Sequence, residues 1–162
     1  MTTDAAESAT EEVQQAEEAV VRLLGRREHS AHELRQKLRQ RGFTDAAIQQ
    51  ALSKAQQQGW QSDARFTEIW LRSELNNGNG WLKIKAKAQN KGIAEATLQQ
   101  ALRDAAPDWQ ELCFDYVLRK FGATPPTERS QRDKITRHLL NRGFRFGEIN
   151  DALKRQQDGD DY

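Results

Sequence analysis

Three glycines, Gly42, Gly92 and Gly143, sit in the same setting of apolar residues, and this triplicated pattern restricts the chain to repeated supersecondary units. Eight positions before them stand Leu34, Ile84 and Ile135, and four before stand Leu38, Ala88 and Leu139. Phe43, Ile93 and Phe144 follow directly; Ile48, Leu98 and Ile149 come six after, and Leu52, Leu102 and Leu153 ten after. Separations of four place apolar side chains on one face of a helix. A glycine can end that helix by taking a left-handed conformation. Each unit therefore reads as helix, tight turn, helix.

A further helix fits ahead of each pair, over about residues 11 to 25, 63 to 76 and 108 to 121, with Val20, Leu24, Phe66, Trp70, Cys113 and Val117 among its apolar positions. Ser30 followed by Glu33 resembles a capping box, Ser62 can cap the second of these helices, and Pro107 can open the third. The expected fold is all-α: an elongated, monomeric array of three tandem three-helix repeats over 11–59, 60–106 and 107–157. An acidic, frayed leader (1–10) and an acidic tail (158–162) would flank it. Pro125 and Pro126 lengthen the first connection of the third repeat.

Charge is distributed unevenly along the chain. Residues 1 to 19 hold six acids and no base, and Asp158, Asp160 and Asp161 close the chain, so a net charge of +1 leaves +10 on residues 20 to 157. A basic body points to a phosphate backbone or an acidic protein surface as partner, although a solvated charged exterior explains part of it. No run approaches a membrane span, and the start MTTDAAESATEEVQQAEE has no signal-peptide pattern, so the cytoplasm is expected. The lone Cys113, in ELCFDYV, reads as part of a buried helix face.

The basic residues follow the repeat. One before each glycine stand Arg41, Lys91 and Arg142; five before stand Lys37, Lys87 and His138; nine before stand Glu33, Lys83 and Lys134. Lys83, Lys87 and Lys91 form one stripe and Lys134, His138 and Arg142 another, while Arg35 and Arg39 supplement the first repeat. The helix macrodipole accounts for a cation in the last turn but not for Lys83, Lys87 or Lys134. Reversing the charge of the Lys83, Lys87 and Lys91 face is expected to leave the fold intact and to weaken partner binding.

Catalysis has little support. His29, His32 and His138 are the only histidines, no Cys or second His cluster completes a metal set, and there is no phosphate-binding glycine loop. No enzyme activity, metal or cofactor is expected, and His29 and His32 read as surface or capping residues. Trp60, Trp70, Trp81 and Trp109 read as packing residues, with base stacking an alternative for Trp81.

The segments HSAHELRQKLRQRGF, GWQSDARF and NNGNGWLKIKAKAQNKGI closely resemble the RecX family of bacterial regulatory proteins, and the resemblance extends over about residues 18 to 155. It implies a three-repeat helical protein that binds the RecA recombinase filament in its groove and restrains strand exchange and co-protease activity. Such a role belongs to recombination control, DNA repair and the SOS response, with single- or double-stranded DNA as a further partner. The matching segments make Arg35, Lys37, Arg39, Arg41, Lys83, Lys87 and Lys91 candidate contacts; Lys134, His138 and Arg142 join them from the repeat pattern. Gln61 stands where the family often has an apolar residue. The alternative is a helical-repeat protein that binds DNA directly, with weak or indirect recombinase contact.

Overall fold

The computed structural model describes residues 2–159, so Asp160 and Asp161 of the expected tail lie outside the described residues. Among the described residues there are nine helices and no strand: α1 (Thr2–Arg26), α2 (Ala31–Gln40), α3 (Asp45–Gln57), α4 (Asp63–Asn76), α5 (Trp81–Asn90), α6 (Glu95–Ala105), α7 (Trp109–Phe121), α8 (Arg129–Asn141) and α9 (Phe146–Gly159). The chain is all-α, with tandem three-helix repeats.

Each turn glycine has a positive φ: +90° at Gly42, +67° at Gly92 and +93° at Gly143. That region is open to glycine and strained for residues with a Cβ. Ser30 accepts from the Glu33 amide at 3.1 Å, and Ser62 from the Arg65 amide at 3.2 Å. Two starts differ from the sequence reading. α7 begins at Trp109 with Asp108 as its cap, two residues beyond Pro107. α1 begins at Thr2, so residues expected to fray are helical, as Ala5, Ala6 and Ala9 and the lack of any glycine or proline favour.

The chain divides into two units. The first comprises Met1–Ile69 and Asn90–Gln99, the second Trp70–Gln89 and Gln100–Tyr162, so the middle repeat contributes to both. In the first, α1 packs chiefly on α3 through Ala16, Val20, Leu23, Ile48, Leu52 and Ala55, with α2 adding Leu34 and Leu38. In the second, α7 packs chiefly on α9, and Cys113, Val117, Leu139, Phe144, Ile149 and Leu153 form the core. Burial, with smaller contributions from the Glu148 and Asp151 carboxylates, pushes the Cys113 thiol up to about 12, so it is an unreactive packing residue.

Candidate partner-binding surface

The cation before the turn glycine does different work in different repeats. In the first unit, the Lys91 ammonium lies 3.6 Å from Glu33 on α2 and 5.9 Å from the Phe66 ring centre, while its carbonyl accepts from the Ser30 hydroxyl at 3.2 Å. In the second unit, Arg142 donates to the carbonyls of Gly78, at 3.2 Å, and Asn77, and its guanidinium stacks 5.2 Å above Tyr116. The Arg142 carbonyl accepts from the Gly80 amide at 2.7 Å, and the Gly143 carbonyl from the Leu82 amide at 3.1 Å. The turn of a later repeat thereby satisfies amides at the start of α5, which has no side-chain cap of its own. Arg41 is exposed and has no side-chain partner among the described residues.

Cations five before the glycine turn inward. Lys37 donates to His29 Nε2 at 3.1 Å, and His29 Nδ1 donates to the Arg27 carbonyl at 2.9 Å. An ammonium and a carbonyl on opposite nitrogens require the neutral ring. Burial, opposed by the Arg27 carbonyl and reinforced by the Arg27 and Lys37 charges, holds the His29 pKa below its ordinary value. His29 is thus a buried residue at 1% exposure, not a surface one. It lies beside Gln61, whose amide donates to the His29 carbonyl and to Asp63, so this buried polar side chain is satisfied.

Lys87 Nζ meets both Glu74 oxygens, at 2.8 and 2.9 Å, and Asn79 donates to the same carboxylate, which is only 9% exposed. Lys87 and Lys91 are therefore engaged within the protein. The expectation that reversing Lys83, Lys87 and Lys91 together would spare the fold is corrected, because glutamate at 87 would face the buried Glu74. His138 Nε2 pairs with the Tyr116 hydroxyl at 2.6 Å, and its ring stacks on Tyr116 and meets Phe121 edge-on. Burial first, then the charges of Lys120, Arg142 and Lys83, holds its pKa below the usual histidine range.

The open cations are fewer than the repeat pattern offers. Arg35 and Lys83 are half-buried, Arg41 and Lys134 exposed, and none of the four has a side-chain partner among the described residues. Arg39 forms a surface pair with Asp45 at 3.0 Å, of the kind that contributes little. Lys120, in the last turn of α7, joins Lys83 near His138 and was not a candidate because it lies outside the glycine-centred offsets. Trp60 is 45% exposed, contrary to its expected packing role, whereas Trp81 lies 6.1 Å from Trp109. No group of three or more His, Cys, Asp or Glu able to hold a metal occurs among the described residues, nor does any helix long and apolar enough to cross a membrane.

Three helix-turn-helix units with a basic residue at each turn define an all-α helical-repeat protein. Family models for the first, second and third three-helix domains of RecX match residues 16–54, 62–102 and 107–153. The chain is 40% identical over 136 residues to the regulatory protein RecX of Stenotrophomonas maltophilia strain R551-3, covering 84% of this chain and 83% of that one. It is 39% identical over 140 residues to the regulatory protein RecX of Pseudomonas putida strain GB-1, covering 86% and 89%. The chain belongs to the RecX family of regulatory proteins. The crystal structure of RecX from Lactobacillus salivarius shares the fold, with a TM-score of 0.73 at 18% identity over 91% of this chain and 98% of that one. A second crystal structure of regulatory protein RecX gives 0.76 at 19% identity, over 93% and 77%.

Proposed function

We propose that this chain binds the RecA recombinase filament on DNA and restrains strand exchange and co-protease activity, acting as a monomeric, non-catalytic regulator in the cytoplasm. Family membership supports the regulatory role. The observation that carries the binding reading is that four of the repeat-patterned candidate cations have no side-chain partner among the described residues: Arg35, Arg41, Lys83 and Lys134, drawn from all three repeats. A filament repeats its protomers beside bound nucleic acid, and open cations that recur from repeat to repeat along the chain suit such a partner.

Direct DNA binding is the second reading. It is favoured by Lys83 and Lys120 near His138, a concentration of charge suited to phosphate. The deciding experiment measures binding to bare single-stranded DNA, bare duplex and recombinase-coated DNA at matched salt, for the natural chain and for a variant with Arg35, Lys83 and Lys134 changed to Glu. Filament recognition requires a signal that depends on the recombinase and weakens in the variant. Equal affinity for bare and coated DNA, falling steeply with salt, would favour the phosphate reading instead.

A further inference from the structure

One joint is used twice within the protein and left empty a third time. At Gly92, a Cβ would lie 2.6 Å from His32 Cβ at the start of α2; at Gly143, it would lie 2.5 Å from the Lys83 amide nitrogen at the start of α5. In both cases the turn presses its bare glycine on a helix start. The carbonyl before the glycine accepts from a group ahead of that helix or at its cap, and the basic side chain reaches an oxygen nearby: the Glu33 carboxylate for Lys91, the Asn77 and Gly78 carbonyls for Arg142. Ser30 and Gly80, which donate to these carbonyls, each stand twelve residues before their own repeat's glycine. The same joint is thus built by equivalent residues in each unit.

The first repeat carries the same turn with nothing in it. Arg41 has φ −84° and ψ −1°, against −77° and −6° for Arg142. The Phe43 amide donates to the Leu38 carbonyl at 3.2 Å as that of Phe144 does to Leu139 at 3.1 Å. Among the described residues, no atom beyond the chain neighbours lies within 4 Å of a Cβ placed on Gly42, and Arg41 is exposed without a side-chain partner. The turn is formed by its own helix pair and needs no occupant to hold its shape.

We propose that the Arg41–Gly42 turn is a docking joint for a partner protein, receiving the N-terminal end of a partner helix. The turn carbonyls would accept from the helix's free amides, and Arg41 would bind a carboxylate or exposed carbonyl beside its first turn. A second copy of this chain is disfavoured as the occupant through α8, the third-repeat counterpart of α2 and α5. Its cap and first six residues hold Arg129, Arg132 and Lys134 against Glu128 and Asp133, a net positive end set against Arg41. The proposal rests on the protein-partner reading above and specifies where the contact is made.

The test measures affinity for recombinase-coated and bare single-stranded DNA at matched salt for Arg41→Ala, Arg41→Glu, Arg41→Lys, Gly42→Asn and the control Lys154→Glu, an exposed lysine without a partner. Asparagine tolerates the left-handed region, so Gly42→Asn adds a side chain to the docking face with little backbone cost, checked by thermal midpoint. Arg41→Ala, Arg41→Glu and Gly42→Asn are expected to weaken filament binding at least about tenfold, with bare-DNA binding unchanged. Arg41→Lys should stay near the natural affinity, since Lys91 fills the equivalent place, and Lys154→Glu should match it.

Filament affinity untouched by Arg41→Ala and Arg41→Glu, or an equal loss on bare DNA, would overturn the joint. So would a concentration-dependent dimer, seen by light scattering, that Arg41→Glu abolishes. A natural chain that fails to bind the coated DNA at all would instead defeat the filament reading, and the joint's protein partner with it.

Discussion

The turns at Gly143 and Gly42 have one backbone and two environments. Gly143 is buried, its carbonyl satisfies the Leu82 amide, and Arg142 beside it holds two carbonyls of the preceding repeat. Gly42 is exposed, and Arg41 holds no side-chain partner among the described residues. A basic residue, a glycine and an aromatic are enough to make the turn; what the turn does depends on whether a helix start lies against it. The difference divides the basic residues into joints and open cations, which no count of charge could do.

Substitutions should separate the two environments. The largest effect is expected at the other occupied turn: Gly92→Val combines a β-branched residue at φ +67° with a Cβ 2.6 Å from His32, and should cost about 3 kcal/mol or more in chemical denaturation. Arg142→Ala should cost about 1.5 kcal/mol, because the part-buried Gly78 carbonyl and the exposed Asn77 carbonyl lose a charged donor and Tyr116 loses the guanidinium stacked on it, whereas Arg41→Ala should stay within about 0.5 kcal/mol of the natural chain. Equal costs at the two arginines would remove the distinction between joint and open cation.

The smallest expected effect is on pH dependence. His29 and His138 both have pKa values held below 6.5 in the folded protein, so the unfolded chain binds protons more readily. Their contribution is fully present above pH 6.5 and is lost as pH falls through the folded values. The thermal midpoint should therefore drop below pH 6.5, with a shallower drop in a variant carrying His29→Gln and His138→Gln. A midpoint that rose on acidification in the natural chain but not in that variant would reverse the sign assigned to these rings.

Much of the fold is legible in the apolar offsets, because helix periodicity and a glycine stop are local properties. Leu34, Ile84, Leu139, Phe144 and Ile149, all offset positions, are buried as the pattern requires. The surface is less legible. Lys83 and Lys87 sit on one helix face, yet only Lys87 has a buried carboxylate within reach, and Glu74 lies thirteen residues away on another helix. His29 gave no sequence signal of burial, since its neighbours Gln61 and Lys37 are brought to it by packing rather than by spacing. Trp60 stays exposed although its size favours burial, and Lys120 enters the basic cluster from a helix outside the offsets. Contacts between helices decide these roles, and one chain's periodicity does not encode them.

The division between occupied and empty turns is tested most directly by placing the same methyl group in both. Gly143→Ala and Gly42→Ala share the cost of a positive φ, near +93° and +90°, but only the first drives a Cβ into the Lys83 backbone at 2.5 Å. Denaturant unfolding of the two variants beside the natural chain should show Gly143→Ala less stable than Gly42→Ala by about 2 kcal/mol, the shared backbone strain cancelling in the difference. Losses that agree within about 0.5 kcal/mol would mean that the turn at Gly143 bears no joint, and would contradict the account.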